Sequence, residues 1–87
     1  MEKKVSSAIH PGEHIADELA ARGMTAADLA RAMGVDPGRV SRLVHAQVAV
    51  TGDTAIRLAE ALGTSAEFWM RLQADYELAQ AREARVA

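Results

Sequence analysis

The chain lacks cysteine, has only three aromatic residues and two prolines, and contains no long hydrophobic run. The absence of cysteine excludes disulfide bonds and thiolate metal sites. No apolar stretch approaches the roughly 20 residues of a membrane-spanning helix, and residues 1–10 lack the hydrophobic core of a signal peptide. We therefore expect a soluble, cytoplasmic protein with no membrane partner.

The length of 87 residues limits the chain to one domain with a single small core. Because such a core gives only a modest margin of stability, we expect a dimer partner or a very regular helical core. We divide the chain into a flexible N-terminal segment at residues 1–9 and one folded domain at residues 10–87.

Charge is distributed unevenly along the chain. The net charge is −2 at pH 7, which by itself argues against a nucleic-acid partner. Residues 22–47, however, carry four arginines and two aspartates, whereas the segments before and after them each have a net charge of −2. Positive charge is therefore concentrated in one segment.

Proline, glycine and capping residues divide the sequence into five helices, and no segment has the alternation typical of a strand. The predicted helices cover residues 11–22, 25–33, 37–44, 51–62 and 64–84. The predicted caps are a Thr25–Asp28 capping box on the second helix, Asp36 followed by Pro37 on the third, Thr51 on the fourth, and a Thr64–Glu67 capping box on the fifth. The sequence therefore predicts an all-α fold.

Residues 26–43 have the pattern of a helix-turn-helix. Small or apolar residues occur where two helices would pack steeply around a tight turn, namely at Leu29, Ala30, Met33, Gly34, Val35, Val40 and Leu43. Ala30 is small where the second helix would cross, and Gly34 suits the conformation of the turn. This pattern favours sequence-specific binding to double-stranded DNA.

The second helix of this pair has two different faces. At about 100° per residue, the core-facing residues are Val40, Leu43 and Val44, the outward residues are Gly38, Ser41, Arg42 and His45, and Arg39 lies on the flank. A short, polar and basic face fits the DNA major groove, where arginine forks onto guanine and serine contacts several bases. An ordinary solvated face is the alternative interpretation.

The aromatic residues Phe68, Trp69 and Tyr76 all lie on the fifth predicted helix. Trp69, Leu72, Tyr76 and Ala79 form an apolar stripe at helical spacing, which either covers the core or forms a self-complementary dimer interface. We assign this stripe to the dimer interface. Off that line, Phe68 is expected to turn into the core, and Met24, Met33 and Met70 are expected to fill it.

Three further motifs occur in order along the chain. Residues 10–13 read His-Pro-Gly-Glu, residues 51–59 read Thr-Gly-Asp-Thr-Ala-Ile-Arg-Leu-Ala, and residues 63–69 read Gly-Thr-Ser-Ala-Glu-Phe-Trp and lead into Leu72 and Gln73. Together with the helix-turn-helix, these motifs make the chain resemble the short HigA-type antitoxins, or virulence-associated protein I, of the Xre and Cro/CI regulators over residues 10–78. The resemblance implies a five-helix, lambda-repressor-like DNA-binding domain.

The resemblance also implies a function, partners and site residues. The implied protein binds a palindromic operator as a homodimer, represses its own toxin–antitoxin operon and neutralises a RelE-like ribonuclease toxin of the HigB type. By position, the base-reading residues would be Pro37, Gly38, Arg39, Ser41 and Arg42, and the phosphate-facing residues would be Thr25 and Ala26 through helix-end amides.

Residues 45–49 depart from the pattern of that family. The family commonly has an Asn-Gly-Lys-Arg-like stretch after the recognition helix, whereas His-Ala-Gln-Val-Ala here has no glycine and no basic residue. Because one phosphate anchor is missing, we expect either weaker operator binding or compensation by His45 and Gln47 as neutral hydrogen-bond donors.

Three other functions have some support in the sequence. The first two are a solitary Xre-type regulator without a toxin, and a protein-binding module with vestigial DNA binding that would use the acidic first helix. The third is a zinc enzyme, because His10, Glu13 and His14 read as H-x-x-E-H, the inverted zinc-protease motif. Proline and glycine at the helix start should keep His10 outside the regular helix, so we predict no enzyme activity, no metal site and no cofactor.

Overall fold

A computed structural model describes residues 9–86 of the chain. Five helices follow one another, α1 at Pro11–Arg22, α2 at Ala26–Met33, α3 at Pro37–Val44, α4 at Gly52–Leu62 and α5 at Ala66–Val86. Residues 9–86 contain no strand, so the predicted all-α fold with five helices is confirmed. None of the helices described is long and apolar enough to cross a membrane. The predicted flexible segment at residues 1–9 lies, except for Ile9, outside the described residues.

The caps that frame α2 and α3 are those predicted from the sequence. Thr25 Oγ1 accepts a hydrogen bond from the backbone N–H of Asp28, whose carboxylate accepts one from the backbone N–H of Thr25, both at 3.0 Å. Asp36 accepts at 2.8 Å from the N–H of Gly38, and Pro37 occupies the first helical position. Between them, Gly34 ends α2 with a φ of 72°. Local side-chain chemistry thus fixes both ends of the turn in the helix-turn-helix.

The predicted capping box at the start of α5 is wrong by one residue. Ser65 Oγ, not Thr64, accepts a hydrogen bond from a first-turn amide, that of Phe68 at 3.0 Å. The hydroxyl of Thr64 instead accepts the indole N–H of Trp69 at 2.7 Å. A buried tryptophan needs a partner for this N–H, and Thr64 supplies it.

The core lies between the helices, and each of the five contributes to it. Ile15 of α1, Leu29 of α2, Leu43 of α3, Leu58 of α4 and Trp69 of α5 have no exposed surface. The helix pairs α2–α3, α4–α5 and α1–α3 pack directly against each other. The prediction that Leu43 and its neighbours on one side of α3 face the core is confirmed.

The apolar stripe of α5 faces inward. Trp69 and Ala79 are buried within the single chain, while Leu72 and Tyr76 are half-buried. Trp69 and Ala79 are therefore not available to a dimer partner, and assigning them to a dimer interface is wrong. The role of Leu72 and Tyr76 at such an interface stays a prediction.

Phe68 and Met70, predicted to be core residues, lie outside it. Phe68 is 42% exposed and Met70 40%. The indole of Trp69 occupies the inward position, so the residues on either side of it in sequence are turned about 100° away from the core. Phe68 instead contacts the ring of His14 in an edge-to-face arrangement with centroids 6.1 Å apart.

His10 lies outside α1, as predicted, and caps it. Its Nδ1 accepts from the N–H of Gly12 at 2.9 Å, so its proton is on Nε2, which donates to the carbonyl oxygen of Val48 at 2.9 Å. The ring also packs edge-on against Tyr76, with centroids 4.9 Å apart. One buried imidazole therefore connects α1, the segment after α3, and α5. Within residues 9–86, no group of three or more His, Asp or Glu side chains is placed to hold a metal ion.

Gly12 lets the first turn of α1 lie directly on the end of α3. A Cβ atom added at Gly12 would overlap the carbonyl oxygen of Leu43 and lie 3.0 Å from that of Val44. Both obstacles are backbone atoms and cannot rotate away. The His10 and Gly12 contacts together set the distance between α1 and the C-terminal end of α3.

Ala46 ends α3 in a left-handed conformation, with a φ of 61°. Its N–H bonds to the carbonyl of Leu43 at 3.1 Å, and the N–H of Gln47 bonds to that of Arg42 at 2.8 Å. This pair of bonds is a Schellman motif, in which glycine normally occupies the left-handed position. The glycine missing from residues 45–49 therefore does not abolish the turn, since an alanine adopts it at a cost of about 1–2 kcal/mol.

The substitution Gly12→Ala should lower the free energy of unfolding by about 1–3 kcal/mol, the usual cost of forcing extra atoms into a packed contact. Urea denaturation followed by circular dichroism measures this change. Gly52→Ala is the matched control, because Gly52 also begins a helix and a Cβ there meets nothing within 4 Å. Equal stability of the two variants would contradict the close contact.

The substitution Ala46→Gly should raise the free energy of unfolding by about 0.5–1 kcal/mol, because relief of the left-handed strain exceeds the entropic cost of glycine. The same denaturation experiment measures it. Ala49→Gly provides the control, since Ala49 has no positive φ and gains nothing from glycine. A loss of stability in Ala46→Gly would show that the turn is not strained.

Candidate nucleic-acid interface

The outward face of α3 is polar and accessible, opposite its apolar inner face. Ser41 and Arg42 are exposed, whereas Val40 and Leu43 have no exposed surface. Pro37 is exposed and Gly38 half-buried at the N-terminal end of the helix. The predicted division of α3 into a core face and an outward face is therefore confirmed, and the packing of the inner face fixes the orientation of the outer one.

Arg42 is the free cation of this face. Among the described residues its guanidinium has no hydrogen-bond or ion-pair partner, and it lies one turn after Gly38. A Cβ added at Gly38 would lie 3.3 Å from Arg42 Nη1, so the glycine leaves room for the arginine side chain. A guanidinium with five unpaired donors on an exposed helix face is suited to a bidentate acceptor such as a guanine edge or a phosphate.

Arg39, predicted to read bases, points toward α4 instead. Its Nη2 donates to Thr54 Oγ1 at 2.7 Å and to the carboxylate of Asp53 at 3.1 Å, and the side chain is half-buried. The flank position of Arg39 on α3 explains this, because it leaves the side chain within reach of Asp53 and Thr54 in the first turn of α4. The prediction of an outward, base-reading Arg39 does not match this arrangement.

Asp53 joins two arginines, a role that sequence reasoning missed. Besides Arg39, its Oδ2 accepts from Arg57 Nε at 2.9 Å, and Arg57 Nη1 donates to the carbonyl oxygen of Met33 at 2.9 Å. Hydrogen bonds from Arg57 and then from Arg39 hold the pKa of the Asp53 carboxyl below its usual range. The signal in the sequence is the i, i+4 spacing of Asp53 and Arg57. The contact of Asp53 with Arg39 and that of Arg57 with Met33 join residues distant in sequence, so no local spacing predicts them.

Two backbone amides in the first turn of α2 have no hydrogen-bond acceptor within the helix. The side chains of Thr25 and Asp28 satisfy each other's N–H groups, which leaves those of Ala26 and Ala27 without an intrahelical acceptor. The backbone N–H of Thr25, followed by the side chain of Arg31, lowers the pKa of Asp28. The amides are suited to an anion, although the negative charge of Asp28 lies beside them.

His45 and Gln47 are both exposed after α3. His45 Nδ1 donates to the carbonyl oxygen of Ser41 at 2.8 Å, so in the neutral ring Nε2 is an acceptor. The expectation that neutral His45 offers a free donor is therefore wrong for this arrangement, because its single N–H is already used. The side-chain amide of Gln47 keeps its donor.

Comparison with known proteins places this geometry in a family. A model of the family described as helix-turn-helix matches residues 15–69 of the chain. Virulence-associated protein I of Dichelobacter nodosus is 39% identical over 82 residues, which cover 93% of this chain and 76% of that protein. Antitoxin HigA-1 of Vibrio cholerae is 40% identical over 74 residues, which cover 84% of this chain and 70% of that protein.

A solved structure has the same fold. The structure of Pseudomonas aeruginosa antitoxin HigA with the higBA promoter matches with a TM-score of 0.83 and 45% sequence identity, covering 87% of this chain and 84% of that one. The family match includes α2, α3 and α4 in full, and therefore the exposed face with Ser41 and Arg42. The chain belongs to the helix-turn-helix family and, within it, to the HigA-type antitoxins.

Proposed function

We propose that the protein is a DNA-binding antitoxin that represses a type II toxin–antitoxin operon by binding a palindromic operator as a homodimer. The observation that carries this proposal is the exposed face of α3, on which Ser41 and the unpaired Arg42 stand opposite a fully buried apolar face. A rigid helix with a short basic outer face meets the requirements for reading base edges in the major groove. The relative solved with its promoter supports the same use of this fold.

The contacts proposed for DNA divide into two classes. Arg42 forks onto a guanine and Ser41 contacts a neighbouring base, while the backbone at Pro37 and Gly38 approaches the groove closely. The amides of Ala26 and Ala27 behind the Thr25 cap, together with the side chain of Gln47, bind phosphates and set the register of α3 in the groove. Arg39 takes no part in base reading in this proposal.

The homodimer interface is proposed on α5 around Leu78, where the half-buried Leu72 of the apolar stripe is also accessible. Leu78 is 51% exposed there and borders a shallow cavity of about 330 Å³ that Ile9, His14, Asp75 and Arg82 also line. Asp75 and Arg82 are seven residues apart with Leu78 between them. If two copies of α5 cross antiparallel at Leu78, Asp75 lies opposite the partner subunit's Arg82, and the surface is self-complementary about a two-fold axis.

Neutralisation of a RelE-like ribonuclease toxin is the remaining part of the proposal. Relatives named as HigA antitoxins support it. The acidic residues Glu13 and Asp17 are exposed on α1. An acidic helix surface is the appropriate complement for a ribonuclease that must bind RNA through basic side chains.

The substitution Arg42→Ala should cost about 1–3 kcal/mol of discrimination at one base pair, the value of one bidentate base contact. Fluorescence anisotropy with the promoter upstream of its own gene, and with duplexes carrying each single substitution, measures this loss. Arg71→Ala removes another exposed arginine, on α5, and should leave base preference unchanged. Equal losses on operator and scrambled duplexes would exclude base reading by Arg42, and no preference of the wild-type protein for its promoter would exclude the repressor function.

The substitution Leu78→Glu should produce monomers in sedimentation velocity at micromolar concentration, because it places two carboxylates at the proposed two-fold axis. The monomer should keep its helical circular dichroism spectrum, since Leu78 is largely exposed in the single chain. Ile56→Glu is the control, because Ile56 is an equally exposed apolar residue, at 53%, on a different helix. A dimer that survives Leu78→Glu, or is lost only in Ile56→Glu, would refute this interface.

A further inference from the structure

The carboxylate of Asp53 binds two arginines, of which Arg39 belongs to α3 and Arg57 reaches the end of α2. We infer that Asp53 is a positioning residue for DNA recognition, which sets the orientation of α3 by holding Arg39 and Arg57 at the start of α4. The inference rests on the proposed DNA-binding function and adds to it a residue that acts through Arg39 and Arg57.

The first link joins α3 to α4. Arg39 Nη2 reaches both Asp53 Oδ2 and Thr54 Oγ1, at 3.1 and 2.7 Å, from the flank of α3. Arg39 lies between Val40, which anchors α3 in the core, and the exposed face that carries Ser41 and Arg42. Rotation of α3 about its axis would break these two hydrogen bonds. The link therefore opposes the motion that would turn Arg42 away from its base.

The second link joins α2 to α4. Arg57 is held by Asp53 at 2.9 Å and donates to the carbonyl oxygen of Met33, at the C-terminal end of α2. That carbonyl lies in the last turn of α2 and accepts no hydrogen bond from within the helix. Asp53 thus fixes the end of α2 as well as the flank of α3, and it holds both sides of the turn at Gly34.

The chain repeats the second link at a place remote from α3. Arg22 is held by Glu18 at 2.8 Å, four residues earlier on α1, and donates at 2.7 Å to the carbonyl oxygen of Leu62 at the end of α4. Glu18–Arg22 and Asp53–Arg57 have the same i, i+4 spacing and the same kind of carbonyl acceptor. Of these two carboxylates, only Asp53 also binds a side chain of α3, that of Arg39. Glu18 is therefore a matched control for the loss of an i, i+4 salt bridge and of its arginine's bond to a helix-end carbonyl.

Charge and positioning change different quantities when the Asp53 carboxylate is lost. Removing a negative charge beside DNA and releasing Arg39 would raise affinity for any duplex, since phosphate contacts dominate non-specific binding. Loss of positioning would instead lower the preference for the operator, because Arg42 no longer meets its base in the correct geometry. Asp53 is 61% exposed through its side chain, so its replacement leaves the buried core intact.

The experiment measures the affinities of the full chain for operator and scrambled duplexes, at several salt concentrations and well below the unfolding temperature. Asp53→Asn should lower the ratio of operator to scrambled affinity by about tenfold, as expected when one base contact is misplaced. Glu18→Gln should leave the ratio unchanged. Arg39→Gln should lower the ratio in the same way and leave the salt dependence unchanged, and Arg39→Lys should restore part of the preference.

The outcomes separate the inference from the proposed function. A wild-type protein that does not prefer its operator overturns both. An unchanged ratio in folded Asp53→Asn, even with tighter binding to both duplexes, overturns the positioning role alone. If Arg39→Gln makes the negative slope of log affinity against log salt concentration shallower by about 0.9, Arg39 contacts a phosphate directly and the inference is also wrong.

Discussion

The close approach of α1 to α3 depends on one backbone contact, that of the first turn of α1 with the last carbonyls of α3. Gly12 permits this contact, and the imidazole of His10 holds it by bonding to α1 on one side and to Val48 on the other. The segment after α3 is fixed from a second direction, because the N–H of Val50 donates to the buried side chain of Gln73 at 2.8 Å. The loop that lacks the family's glycine and basic residues is thus held by α1 and α5.

The parts of this structure that the sequence predicts are local in origin. Thr25, Asp36 and Gly34 act on amides and carbonyls within four residues of themselves, so the pattern of residue types is enough to locate the ends of α2 and α3. The two faces of α3 follow in the same way from the helical repeat. His10 was also expected outside α1, since proline and glycine after it cannot extend the helix backward.

The parts that sequence reasoning misses depend on which neighbour a side chain meets. Phe68 and Trp69 are adjacent and both apolar, so periodicity alone does not decide which one enters the core. The hydroxyl of Thr64 favours Trp69, because it accepts the indole N–H. The direction of Arg39 is likewise set by Asp53 and Thr54, 14 and 15 residues away in sequence. Contacts of this range become visible only when the helices are assembled.

The use of arginine within residues 22–47 has a consequence for how the protein would distribute itself on a chromosome. Arg22, Arg31 and Arg39 each have a carboxylate partner within the chain, so Arg42 is the one unpaired cation of this segment. With so few cations free to displace counterions, residence on arbitrary sequence would be brief. Most copies would then diffuse freely between encounters with the target site. A freely diffusing copy is able to bind a second protein.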